Sequence, residues 1–510
     1  MHMQMFHKRT GRTLAVLLLF LLLFLTACGE NPQEKTPGEQ DGSNSAGEAQ
    51  ALTLTLPYFD KDSLNPYFAT SAQNRALSAL YCQPLFEVTA AYAPQAVLAD
   101  SCSFDGNTMT VTLRSANFSD GSALSADDVV YSFTLAKASG WYGSRLASVT
   151  KATARSGAVE FTLAAPDKLA ANLLTFPIVK RKTADKTEDI PVGTGAFVLA
   201  ADKTLTANPH GSQGTVQSVS LFSIKDVSYL KNALEIGNIS YLFSDFSSGS
   251  YTRVVAENKF VTMNNLVYLG MNTSTGALAN AAVRTAIYYA ADKAAVASAA
   301  YQGCAVAVGL PFHPDYLAAQ NLSVGQTEAD TERAAEILQK SGYNRYDKNG
   351  VRTNGTETLQ MTLLVNSENS FRLIAAQSIA ENLNACGFSV TVESVPAAGY
   401  QSRVASGNFT LYIGEVKLPE NLDLSAFYAE GGSASAGMNK ALPVWQAFAA
   451  FQSGELSTEQ FTEAFLDDMP FVPVCYRSGM AAYSKGLAPD FSLAAYAMYG
   501  NITRWSTAQS

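Results

Sequence analysis

Apolar and polar positions divide the chain into three stretches. Behind Lys8, Arg9 and Arg12 runs an unbroken apolar segment from Leu14 to Leu25. Residues 29–50 then contain almost nothing apolar and are rich in Gly, Pro, Ser, Glu and Gln. From Leu52 onward the pattern becomes mixed. Leu52, Leu54 and Leu56 alternate with threonines, the period of a half-buried strand. Similar runs predict strands at 109–113, 158–163, 359–365, 389–395 and 409–414. Helical spacing predicts helices at 126–139, 280–300, 328–341 and 370–386. The last places Leu373, Ile374, Ile379, Ala380 and Leu383 on one face, with Gly387 able to take the left-handed stop position. Lying between two β-rich runs, it reads as the helix of a βαβ unit, which makes its two strands a parallel pair. At least one lobe is therefore expected to be an α/β sheet with helices on its faces.

The N-terminal stretch, 1–27, has the charged start, apolar centre and small residues of a secretion signal. Its apolar run is shorter than the roughly 20 residues needed to cross a bilayer. Leu25-Thr26-Ala27-Cys28 resembles a bacterial lipobox. That resemblance implies cleavage before Cys28 and a lipid on its thiol. The alternative is a plain secretion signal with a chance cysteine. Residues 28–50 have the composition of a disordered tether.

At 510 residues the chain is long for one domain, and its hydrophobic content of 47% is ample for large cores. The formal charge is −9, and loss of Lys8, Arg9 and Arg12 with the signal makes it more negative. An acidic surface argues against nucleic acid, which is bound through basic residues. It also argues against holding anionic lipid by charge, so the membrane is expected to be held through the lipid anchor. Six cysteines are too few for a disulfide scaffold. Cys386 and Cys475 sit in apolar runs as buried thiols, while Cys82 and Cys102 are a pair that adjacent segments could align. Only His210 and His313 follow the signal, which disfavours a histidine metal site.

Motifs for catalysis are missing. The chain has no G-x-S-x-G elbow, no H-E-x-x-H and no Walker loop. Gly193-Thr194-Gly195 is a short turn, and Asp347-Lys348-Asn349-Gly350 lacks the acidic spacing of a calcium loop. Asp127-Asp128 and Asp467-Asp468 sit at predicted helix ends, where capping explains carboxylates. Enzymatic activity, a cofactor and a metal are therefore not expected.

Several segments together resemble the oligopeptide- and dipeptide-binding proteins, extracellular solute-binding family 5, of peptide-type ABC importers. Phe118, Asp120, Gly121, Leu124, Ala126, Asp128, Val129 and Ser132 follow the family's F-x-D-G-x-x-(L/F)-x-A-x-D-V-x-x-S stretch. In physical terms this is a turn, a cap at Ser125 and an amphipathic helix. The segments 81–86 and 97–101 resemble the family's opening motifs, with Cys102 where it has tryptophan. Pro191–Phe197, Tyr268–Thr273, Val283–Asp292 and Pro470–Lys485 resemble further motifs in the family's order. The resemblance covers about residues 52–510.

It implies an α/β, two-lobed, periplasmic-binding-protein-like fold with a hinge, a discontinuous first lobe and an extra subdomain. By analogy lobe I takes 51–72, 176–265 and 477–510, the subdomain takes 73–175, and lobe II takes 266–476. The implied function is capture of a small solute, a peptide in the leading case, by hinge closure and delivery to a membrane permease and its ATPase. A monomer on the outer face of the cell membrane, periplasmic if there is an outer membrane, is the implied state. In peptide binders of this family an acidic residue after a lobe II strand pairs with the peptide amino terminus. Here Gly414-Glu415 occupies that place, without the family's usual tryptophan and aspartate. The competing reading pairs Glu415 with Lys417 on the same strand face. Asn65 and Tyr67, Trp141 and Tyr142, and Asn272 stand at the family's other cleft positions. Arg284 is expected to brace its helix. The alternatives are an oligosaccharide or chelated metal in the same cleft, a peptide-sensing receptor without uptake, and a surface hydrolase, the last lacking any motif.

Overall fold

A computed structural model describes residues 52–246, 253–322 and 325–508. The predicted signal, Cys28 and the polar stretch to residue 50 lie outside the described residues.

The largest sheet has seven strands. Tyr241–Ser244, Phe471–Tyr483, Glu257–Met271, Leu411–Lys417, Gln360–Asn366 and Ser389–Val395 follow one another, and Ala305–Ala307 pairs onto Phe471–Tyr483. The predicted βαβ unit forms its edge. Gln360–Asn366 and Ser389–Val395 pair in parallel, joined by the helix Ser370–Ala385. That helix buries Phe371, Ala375, Ile379, Ala380 and Leu383, and Gly387 stops it at φ 88°. Leu373 and Ile374 fall outside its buried stripe, which lies about a residue's rotation from the predicted one.

A second region is built around a four-stranded antiparallel sheet: Ala99–Asp105, Thr108–Leu113, Ala158–Leu163, Val149–Arg155. Helix Ala126–Ala138 packs on it through Val129, Phe133 and Ala136. Ser125 and Asp128 close a capping box at its N-terminus, and Asp128 also accepts from the backbone of Arg181. Leu52–Phe59 forms a separate parallel pair with Val216–Ile224. The glycines of Gly193-Thr194-Gly195 are needed for close approach, since a Cβ at Gly193 would lie 2.0 Å from the carbonyl oxygen of Tyr81.

The buried apolar residues form two clusters, one mostly within 266–476 and one drawn from segments before residue 264 together with 481–505. The long strands Glu257–Met271 and Phe471–Tyr483 contribute to both. Their antiparallel ladder shifts register between Thr262 and Leu266, opposite Ser478 and Tyr476.

One predicted element differs. The single helix expected over 280–300 is two, Ala281–Ala290 and Lys293–Ala299. Asp292 caps the second by accepting from the backbone of Ala295, and Lys293 turns its Nζ onto the carbonyls of Tyr288 (2.6 Å) and Ala291 (3.1 Å). Capping at an internal Asp and a lysine on the preceding carbonyls outweigh uninterrupted helical spacing. The motif at 347–350 is a hairpin turn between Arg345–Tyr346 and Arg352–Thr353, with Gly350 at φ 80°. Asp468 accepts from the backbone of Val444 at 2.7 Å. All five described cysteines carry free thiols, Cys82 and Cys102 among them.

Candidate functional site

Between the two apolar clusters lies a cavity of about 860 Å³. One wall comes from helix Ala72–Tyr81 and from the short turn bearing Trp141, Tyr142 and Arg145. The opposing wall includes Phe243, Met263, Lys417 and Met480, from the large sheet and its flanks. Tyr496 and Tyr499 close one side. Outside the cavity the walls are tied together by buried polar contacts. Arg145 pairs with Glu420, Asn421 donates to Asp167 at 2.6 Å, Asn172 donates to the carbonyls of Tyr92 and Glu420, and Tyr92 donates to Asn264.

Trp141 is the centre of the charged part of the cavity. The Arg75 guanidinium lies 4.0 Å from its ring centroid, Arg145 lies 5.0 Å away and the Lys417 ammonium 4.9 Å. Such geometry suits cation–π attraction. Arg145 also sits 5.2 Å from the Tyr496 ring. Three cations gather in one place, and their proton affinities are lowered, chiefly by burial. Burial pushes Lys417 down to about 8, helped by Arg145, Arg477 and Arg75 and opposed by Asp245. Burial also lowers Arg145 to about 10. The carboxyl of Glu87 on the cavity wall is pushed up to about 7 by burial, with Arg504 opposing and Asp490 adding to the rise.

Of the residues expected from sequence, Trp141 and Tyr142 line this cavity. Tyr142 stacks edge-on against Tyr67 at 6.0 Å, and burial raises its phenol to about 12. The others stand elsewhere, for reasons visible in their bonds. Asn65 is fully buried and donates to the carbonyls of Ala184 (3.1 Å) and Lys186 (2.9 Å), stapling two loops. The Tyr67 hydroxyl donates to the carbonyl of Pro177. Asn272 reaches the carbonyls of Gly407 and Phe409 at 3.4 Å each. Gly414 stands opposite Tyr268 in the ladder, and a Cβ there would lie 2.4 Å from the tyrosine ring. Gly270 and Tyr412 make the mirror-image pair, and the two hydroxyls meet at 3.1 Å. These tyrosines cover the glycines across the strands.

Glu415 is held within the protein. Arg477 Nε lies 2.7 Å from its Oε1, Arg372 Nη2 lies 2.8 Å from Oε2, and Asn265 donates at 2.8 Å. Its side chain is 8% exposed. Burial alone would raise this carboxyl, but Arg477, Arg372 and Asn265 outweigh it and hold it below the ordinary value. Its ionic partners are therefore these two arginines, not Lys417, which points into the cavity. Arg284 braces its surroundings by donating to the carbonyls of Leu278, Ala279, Asp468 and Met469.

Arg75, Arg145 and Tyr496 are cavity residues that the sequence reading does not single out. Arg145 had a local signal, a cation three residues beyond an aromatic pair. Arg75 and Tyr496 had none, because their relation to Trp141 exists only in the fold. Among the described residues no cluster of three or more His, Cys, Asp or Glu is placed to hold a metal. No described helix is long and apolar enough to cross a membrane.

The model of the bacterial extracellular solute-binding proteins, family 5, matches residues 93–436. A putative ABC transporter peptide-binding protein of Brucella ovis is 25% identical over 329 residues, 59% of this chain and 60% of that protein's length. The match thus spans less than two thirds of that relative. Among solved structures, an unliganded open form of the periplasmic murein tripeptide binding protein MppA superposes with a TM-score of 0.72. It is 17% identical and covers 91% of this chain and 99% of that one. NikA from Brucella suis in complex with Fe(III)-EDTA gives 0.66 at 16% identity, covering 90% and 100%. Both show the same two-lobed α/β fold.

Proposed function

The chain belongs to the bacterial extracellular solute-binding proteins of family 5, and we propose that it captures a small solute in the Trp141 cavity and passes it to an ABC permease with its ATPase. The observation that carries this reading is the cavity itself. At about 860 Å³ it has the size of a small-molecule site, and both apolar clusters wall it. A ligand that touches both walls favours the closed arrangement over an open one, which is what a capture-and-release cycle requires.

A peptide is the leading solute class, since the Brucella ovis relative is a putative peptide-binding protein. No catalytic step is assigned to the site. The hinge of this reading falls at the register shift between Thr262 and Leu266, close to the boundaries 265/266 and 476/477 of lobe II. The lobes and subdomain keep the boundaries given above. The protein works as a monomer outside the cytoplasm, anchored through a lipid on Cys28. Substituting Cys28→Ser should then move it from the detergent phase to the aqueous phase on phase partition.

The functional test is thermal unfolding of the full chain in mild detergent against tripeptides, oligosaccharides and metal chelates. A solute at 100 times its dissociation constant adds about 2.7 kcal/mol of stability. A raised melting temperature with tripeptides supports peptide capture. A rise only with sugars or chelates keeps capture and replaces the solute. No rise with any class removes the reading.

A further inference from the structure

The walls of the cavity hold more positive charge than the chain neutralises. Arg145 has Glu420. Arg75 donates to the carbonyls of Ala69 (3.1 Å) and Thr70 (2.7 Å), but no carboxylate among the described residues makes an ion pair with it. Lys417 makes no ion pair among the described residues either, although Asp245 acts on it from the same wall. Asp62 acts on Arg75 in the same distant way. The Tyr496 hydroxyl is buried on this wall without a hydrogen-bond partner among the described residues. Arg75 is half-buried and Lys417 exposed, so water meets their charge, whereas the Tyr496 hydroxyl is buried and unanswered at a cost; an apposed anion serves all three.

On the solute-capture reading above, we propose that the solute carries a carboxylate, which Arg75 and Lys417 hold beside Trp141 while Tyr496 supplies a further donor. Three observations converge on a negative group. Arg75 and Lys417 approach an aromatic face and have no carboxylate partner among the described residues. Glu415, the one residue the sequence suggests as an anchor for an ammonium group, has both oxygens occupied by arginines. Burial pushes the Glu87 carboxyl on the wall up to about 7, which weakens the opposing charge. The site also couples to closure. Arg75 and Arg145 come from one wall and Lys417 from the other. A carboxylate between them touches both walls, and the closed state gains most.

The carboxylate has two sources, a peptide C-terminus or a free polycarboxylate. The test measures affinity of the full chain in detergent for four tripeptide pools (free, N-acetylated, C-amidated, doubly capped) and for citrate, by titration calorimetry. The free and N-acetylated pools should bind alike, and C-amidation should weaken binding about tenfold or more, the loss expected for a charge-assisted hydrogen bond. Binding by citrate but not by peptide acids assigns the carboxylate to a free polycarboxylate. Lys417→Met and Arg75→Met should each weaken the acid ligand about tenfold, and Lys417→Arg should restore it. Affinity should fall as pH rises through about 8, as the ammonium flanked by Arg75, Arg145, Arg477 and Asp245 loses its proton. Equal affinity for C-amidated and free-acid pools, or unchanged affinity in Lys417→Met, overturns the carboxylate clamp and leaves solute capture standing. Absence of binding by every probe, with no thermal shift from sugars or chelates, overturns both.

Discussion

Glu415 and Lys417 lie two residues apart on one strand, yet they meet opposite fates. Glu415 is enclosed by Arg372, Arg477 and Asn265, and its carboxylate is fully answered from within the chain. Lys417 stands over Trp141 in a cavity with two further cations, and the chain leaves the excess unanswered. The first arrangement is what a fold does with a buried charge. The second leaves exposed and half-buried cations that only water or an arriving anion can meet. Charge alone does not distinguish a structural residue from a binding one; the completeness of its partners does.

The sharpest way to break this contrast is Glu415→Ala. It leaves Arg372 and Arg477 buried without a counter-ion, and breaking a buried pair costs about 3–5 kcal/mol. A matching drop in urea-unfolding stability is expected, with the residual folded protein binding its solute as before. Lost binding at intact stability would instead return Glu415 to the ligand site.

A second buried group tests the same idea through pH. His313 sits between the rings of Tyr92 (4.4 Å) and Tyr476 (4.9 Å), and burial lowers its pKa from 6.5 to about 3. Its folded pKa is depressed, so the unfolded chain binds the proton first. The neutral imidazole's contribution is full above pH 6.5 and is lost as pH falls from there through about 3. By pH 4 the loss is about 3 kcal/mol, at about 1.4 kcal/mol per unit. Unfolding curves of wild type and His313→Phe should therefore diverge below pH 6.5, with the variant relatively more stable in acid. Parallel curves would mean that the imidazole is hydrated in the native state.

Gly414→Ala probes the strand that carries both charged residues. The added methyl meets the Tyr268 ring, and overpacking of this kind costs about 1–3 kcal/mol. Chemical denaturation reads that cost directly. The smallest effect on stability is expected at Lys417→Met, within about 0.5 kcal/mol, because Lys417 is exposed and its side chain meets Trp141 only at a distance of 4.9 Å. A large loss there would show that Lys417 belongs with Glu415 rather than apart from it.

Much of the scaffold was legible from local patterning. The strand at 158–163 and the helix ending at Gly387 are observed as Ala158–Leu163 and Ser370–Ala385, and the βαβ unit is parallel as expected. Periodicity carries such information because it reports which face of an element is buried, and each element supplies its own face. The break at Asp292 was less legible, since a single capping carboxylate stops a helix that propensity would continue. Of the cleft positions implied by the family resemblance, Trp141 and Tyr142 line the cavity.

Local order, the family motifs and the polar stretch after Cys28 can be read from residues near one another in the chain. Whether Glu415 is answered cannot be read that way. Its partners come from 43 and 62 residues away, and they reach it only because the helix beginning at Ser370 packs on the sheet and Phe471–Tyr483 lies two strands over in that same sheet. The same folding draws Arg75, Arg145 and Lys417 to one indole from three separate segments. Burial and charge pairing are properties of a neighbourhood, and the neighbourhood exists only once the chain has closed on itself.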